Sequence, residues 1–125
     1  MNSAQGIIKR ILRTDASIVF AYLFGSRATG SADDRSDWDI AIYYREKGNV
    51  SRWKRFSLEA DLSRAVGSEV QVEILNDLRT PLFTFEIISK GILLIDRNTS
   101  RRALFEARAL AAYHDWQYYQ DRRAG

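Results

Sequence analysis

Two short segments of the chain combine residue types that can do chemistry: Phe24-Gly25-Ser26-Arg27-Ala28-Thr29-Gly30 and Ser36-Asp37-Trp38-Asp39-Ile40. Asp37 and Asp39 are two residues apart. On a strand such residues face the same way, so the carboxylates project together at roughly 6–7 Å spacing. Like charges that close repel unless a cation joins them. The pair therefore fits a hard divalent cation such as Mg²⁺, which takes oxygen ligands, commonly one or two carboxylates plus substrate phosphates. Gly25 and Ser26 complement it. Glycine lets backbone approach a phosphate closely, a following helical turn offers free N–H donors, and Ser26 adds a hydroxyl. Alone, a Gly-Ser turn is only a turn and a D-x-D is often a solvated pair. Their order along the chain (strand, Gly-Ser, ten residues, D-x-D, strand) is far rarer and points to an Mg-nucleotide held between the two segments.

The surrounding elements must position these groups. Ile7, Ile8, Ile11 and Leu12 form an apolar helical stripe within residues 4–14. Ser17 to Phe24 reads as a buried strand, Gly25 to Ser36 as a turn with one helical turn in it, and Trp38 to Tyr44 as a second strand. Residues 51–66 carry two helical periodicities (Trp53, Phe56, Ala60 and Leu58, Leu62, Ala65), with Gly67 as the C-cap. Glu69 to Leu75 alternates as a third strand. Thr80-Pro81 reads as an N-cap followed by proline at the first helical position, with that helix running to Lys90 and stopping at Gly91. Ile92 to Ile95 reads as a short last strand and residues 99–120 as a long helix. The fold class is α/β (α+β): a small mixed sheet flanked by helices.

The last helix has two apolar stripes, Leu104, Ala107, Ala111, His114, Tyr118 and Phe105, Ala109, Ala112, Trp116, Tyr119. A surface helix needs one. The second is expected to meet a partner chain or a second copy, which makes residues 99–120 the partner-binding element. His114, the one histidine, is assigned no catalysis.

Composition bounds the rest. The 125 residues suit one domain, residues 1–125. The absence of cysteine excludes disulfides and thiolate metal sites. No apolar run is long enough for a signal peptide or a membrane span, so a soluble cytoplasmic protein is expected. Fifteen of the nineteen cations are arginine, the residue suited to bidentate phosphate and carboxylate binding. A net charge of +3 is too small to argue for direct nucleic-acid binding.

The two segments resemble the minimal nucleotidyltransferase (MNT) branch of the DNA polymerase β-like superfamily, with signature G-S-x10-D-x-D. Here that is Gly25-Ser26, residues 27–36, then Asp37-Trp38-Asp39. A weaker likeness extends over nearly the whole chain. The resemblance implies the polymerase β-like nucleotidyltransferase fold. It also implies an MntA-like antitoxin that works beside a HEPN-type RNase toxin. Such a protein transfers AMP from ATP to a toxin tyrosine, with two Mg²⁺ ions. The family usually places a third acid on the next strand. In Glu69-Val70-Gln71-Val72-Glu73-Ile74 that position holds Gln71, which is neither a base nor a good Mg²⁺ ligand. Glu73 lies on the same face. It either takes over as the third catalytic acid beside Asp37 and Asp39, or is a solvent-facing strand residue.

Arg27 either neutralises charge at the phosphate site, contacts the partner, or is a plain surface arginine. Ser36 either caps the strand entry or helps place Asp37. Both count as nucleotide-site candidates with Gly25 and Ser26. Two further readings stay open. One is an antitoxin that neutralises its partner by binding alone. The other is a small-molecule, antibiotic-type nucleotidyltransferase, although those normally carry an extra helical domain.

Overall fold

The computed structural model describes residues 3–45 and 51–124. The elements are α1 (Ala4–Arg13), β1 (Ile18–Phe24), α2 (Ser26–Thr29), β2 (Trp38–Tyr44), α3 (Arg52–Val66), β3 (Val70–Ile74), α4 (Pro81–Lys90), β4 (Ile92–Asp96) and α5 (Thr99–Ala124). One 3-10 turn, Leu75–Asp77, links β3 towards α4. The strands form a single sheet in the order β3-β2-β1-β4. β1 runs antiparallel to both β2 and β4, while β2 and β3 are parallel. This is the mixed sheet with flanking helices that the residue pattern implied.

Alternation along the strands sorts two cores. Ile40, Ile42 and Tyr44 of β2, with Val70, Val72 and Ile74 of β3, turn to the face covered by Ile8 and Leu12 of α1 and Leu62 of α3. Ala41 and Tyr43 turn to the opposite face, with Phe20, Tyr22 and Ile87, under α4 and the start of α5. β1 is buried from Ile18 to Leu23 because it is an interior strand with helices on both faces. That explains its unbroken apolar run. Only one of the two periodicities of α3 is used: Leu62 is fully buried, whereas Trp53 is 77% exposed.

Helix ends follow the sequence with two corrections. Gly67 is a left-handed C-cap at φ 71°, as its position implied. Thr80 does precede Pro81 at the head of α4, but its hydroxyl makes no capping bond. Gly91 does end α4, in an extended conformation rather than a left-handed one. It is glycine because a Cβ there would collide with the Ile87 carbonyl. At the far end of the sheet, Arg97 ties the N-terminal helix down. Its Nη1 donates to the Asp15 and Ile18 carbonyls at 2.6 and 2.9 Å, and its Nη2 to the Arg13 carbonyl at 2.6 Å. Among the described residues no helix is long and apolar enough to cross a membrane.

Candidate active site

β1 ends and β2 begins side by side, with Phe24 opposite Asp39. This places the Gly25-Ser26 turn beside the D-x-D. Gly25 has φ 74° and ψ −159°, a region open almost only to glycine. A Cβ at Gly25 would lie 2.5 Å from Asp39 Oδ2. In this structure the space kept clear by the missing side chain is filled by the Asp39 carboxylate. Gly25 is therefore needed first to let that carboxylate approach the turn. The turn continues into the single helical turn of α2, whose first bonds are Ala28 N–H to the Gly25 carbonyl at 3.0 Å and Thr29 N–H to the same oxygen at 3.2 Å.

The connection to β2 is braced by Arg27. Its Nε and Nη2 donate to the Ser36 carbonyl at 3.3 and 2.9 Å, and its guanidinium lies 4.5 Å from the Trp38 ring centroid. The Ser36 hydroxyl accepts from Asp33 N–H at 3.0 Å. In this geometry both side chains hold the segment that carries Asp37, one layer behind the carboxylates.

Asp39, Gln71 and Glu73 share one sheet face. The parallel register puts Gln71 opposite Asp39 and Glu73 opposite Ala41. Gln71 thus stands directly beside Asp39 on the neighbouring strand. Its Nε2 donates to Asp37 Oδ2 at 3.3 Å. Burial, then the charge of Asp37, then that of Glu73, hold the Asp39 carboxyl above its ordinary value. Glu73 is thus electrostatically part of the site although it stands one pair further along. Among the described residues no group of three or more His, Asp or Glu is set closely enough to hold a metal ion. The protein offers two mutually repelling carboxylates on one face, a donor set that fits Mg²⁺ where phosphates and water supply the other positions.

The structure brings Gly25, Ser26, Asp37 and Asp39 to one end of the sheet, with Glu73 on the face of Asp39 but at mid-strand. Arg27 and Ser36 sit behind them, and His114 lies exposed on α5. The residue pattern missed the role of Gln71 as donor to Asp37. It also missed a cleft of about 620 Å³ between the start of α4 and α5, which contains Arg79, Arg101 and Arg108. Only the parallel β2–β3 register and the way α5 lies across the sheet reveal these, and neither is written in local periodicity.

A four-stranded mixed sheet with this order, two helices on one face and two on the other, is the fold of the polymerase β-like nucleotidyltransferases. Residues 7–100 match the family described as "Polymerase beta, Nucleotidyltransferase". The chain belongs to that family. Comparison with curated proteins finds no match. Solved structures align over almost the whole length. A toxin–antitoxin complex with AMP-PNP gives a TM-score of 0.82 at 22% identity, covering 96% of this chain and 94% of that one. The toxin–antitoxin MntA-HepT gives 0.75 at 20% identity, covering 97% and 93%. The Shewanella oneidensis complex of a tri-AMPylated HEPN toxin with MNT antitoxin gives 0.74 at 18% identity, covering 96% and 95%.

Proposed function

We propose that this domain transfers AMP from ATP to a tyrosine of a HEPN-type partner and thereby acts as its antitoxin. The observation that carries the reading is geometric: the Asp39 carboxylate reaches into the Gly25-Ser26 turn, with Gln71 and Glu73 on the same face of the neighbouring strand. The fold likeness to complexes of AMPylated toxin and antitoxin supports the choice of acceptor.

Gly25-Ser26 holds the β and γ phosphates through backbone N–H groups and the serine hydroxyl. Asp37 and Asp39 would hold Mg²⁺. When bound, Mg²⁺ supplies charge stabilisation at the attacking and leaving oxygens. The acceptor oxygen forms a bond to the α-phosphorus, the bond from that phosphorus to the β-bridging oxygen breaks, and pyrophosphate leaves. Glu73 takes the acceptor proton. Arg27, through Ser36, keeps Asp37 in place. α5 adds the partner surface: Leu104, Ala107, Ala111, His114 and Tyr118 are all exposed, while Phe105 and Ala109 pack on the domain.

A second reading has its own observation. Gln71 in place of the acid opposite Asp39 favours an antitoxin that neutralises by binding alone. Incubation with α-labelled ATP, Mg²⁺ and the purified HEPN partner separates the two. Label on the partner tyrosine, lost in Asp37→Asn/Asp39→Asn, is the expected result. An unlabelled but tightly bound and silenced partner would leave the binding-only reading.

A further inference from the structure

In-line displacement fixes the side from which an acceptor arrives, because entering and leaving oxygens lie roughly opposite one another across the phosphorus. Strand register orders the groups along β2. Phe24 pairs with Asp39, so Gly25 and Ser26 lie towards the start of β2. Glu73 pairs with Ala41, the middle residue of β2, one same-face step further along than Asp39. With pyrophosphate leaving at Gly25-Ser26, the acceptor enters from the Glu73 side of Asp39.

Further along the same face of β2 lies the 620 Å³ cleft, whose walls include Tyr43, Asn76, Arg79, Thr80, Arg101 and Arg108. Such a volume is ordinary for a ligand site, where roughly 300–1,000 Å³ is usual. Tyr43 is two residues past Ala41 on the same face, so the cleft continues the face of Asp39 and Glu73. An adjoining cavity of about 520 Å³ reaches Glu73 itself, and shares Asp77 and Leu78 with the larger one. None of Gly25, Ser26, Asp37 or Asp39 lines either space. The cleft is therefore separate from the phosphate end.

Its charge is unbalanced. Arg79, Arg101 and Arg108 enter no ion pair among the described residues. Arg101 donates to the Tyr43 hydroxyl at 3.3 Å and stands 5.4 Å from that ring. Among the described residues, Asp77 is the one carboxylate on the wall. Guanidinium groups that make no ion pair among the described residues, beside an aromatic wall, suit a carboxylate or a phosphodiester.

We infer that this cleft receives the acceptor and selects one that carries an anionic group beside the attacking hydroxyl. The anion is a side-chain carboxylate or the phosphodiester of an AMP already attached. This rests on the AMP-transfer reading above.

Binding is measured by fluorescence anisotropy with four labelled tyrosine peptides in Mg²⁺ and AMP-PNP. One has neutral flanks, one glutamate flanks, one lysine flanks, and one neutral flanks and AMP on the tyrosine. At least one anionic peptide should bind tenfold or more tighter than the neutral one, and this identifies the source of the anion. Arg79→Ala/Arg108→Ala, both at exposed positions, should bring that peptide down to the neutral level. Arg79→Glu/Arg108→Glu should turn the preference to a lysine-flanked peptide. Equal binding of all peptides, or a preference untouched by both double variants, overturns the inference. If the variants fold poorly, wild-type preference that does not weaken with rising salt overturns it equally. Transfer of label is scored separately. Anion preference without any transfer would refute the AMP-transfer reading and with it the acceptor role, leaving only an anion-selective cleft.

Discussion

Replacing Gly25 by alanine tests the central geometry, because two separate costs meet at that residue. The first is backbone. At φ 74° and ψ −159° any L side chain is strained by about 1–3 kcal/mol. The second is contact. The new Cβ would sit 2.5 Å from Asp39 Oδ2, so the carboxylate must swing away from the turn. The two are separable in a double-mutant cycle with Asp39→Ala. Gly25→Ala alone should lower stability by about 2 kcal/mol or more from the backbone term, with the clash in addition. In the Asp39→Ala background only the backbone part should remain. The coupling should be about 0.5–3 kcal/mol, the range for residues in contact. Urea unfolding of the four proteins gives the cycle. Calorimetric titration with Mg-ATP adds a functional readout, in which Gly25→Ala should weaken affinity even where the protein is folded, because Asp39 has been displaced. Strictly additive stabilities, with Mg-ATP affinity unchanged in Gly25→Ala, would show that the glycine serves only the turn.

Gln71→Glu should tighten Mg²⁺ binding by roughly tenfold, since it adds a hard oxygen ligand opposite Asp39. It should also destabilise the metal-free protein, where a donor to Asp37 becomes a third like charge; calorimetry and urea unfolding read the two effects, and weaker Mg²⁺ binding would refute the assignment. Asp15 offers a pH test. Burial raises its carboxyl, but hydrogen bonds from the Ser17 hydroxyl and N–H, with the charges of Lys54 and Arg97, outweigh that and leave it below 3.8. A lowered acid stabilises the fold above its unfolded value and loses that contribution as pH falls through the folded one. Asp15→Ala should therefore cost about 1 kcal/mol at pH 7, and the gap to wild type should narrow towards about pH 2; a gap that widens in acid would contradict the sign. On α5, Tyr119 is 66% exposed, whereas Trp116 lies beside Tyr113, which stacks on Phe85 at 3.9 Å. Tyr119→Ala should weaken partner assembly about tenfold, or about 1.4 kcal/mol, without changing the domain's melting temperature, while Trp116→Ala should lower both. Intact assembly in both variants would remove this helix from the interface.

Periodicity carried much of the architecture. The four strands and the long helices lie within a residue or two of where alternation and apolar stripes put them, apart from the end of α5, because each element's burial is imprinted in its own stretch of chain. The Gly-Ser and D-x-D segments were legible for the same reason: spacing within a strand fixes which side chains share a face. What lies between strands was not legible. That Gln71 stands opposite Asp39 depends on β3 adding parallel to β2, a pairing made by the tertiary fold. Gly25 looked like a place for phosphate, yet the atom nearest it belongs to Asp39, 14 residues on. Thr80 had the residue type of a cap without making the bond, since residue type fixes the option and local backbone the outcome.

The Arg97 tie has a consequence for the order in which the domain can be made. The carbonyls of Arg13, Asp15 and Ile18 share one donor more than 75 residues away in the chain. The free edge of β1 waits for β4, which immediately precedes that arginine. During synthesis, α1, β1 and β2 emerge long before either arrives, with one edge of β1 bare and open to unwanted pairing. Such non-local closure slows folding. A nascent chain stopped short of Arg97 therefore lacks a latched first helix, and a break within β4 should abolish the domain rather than shorten it.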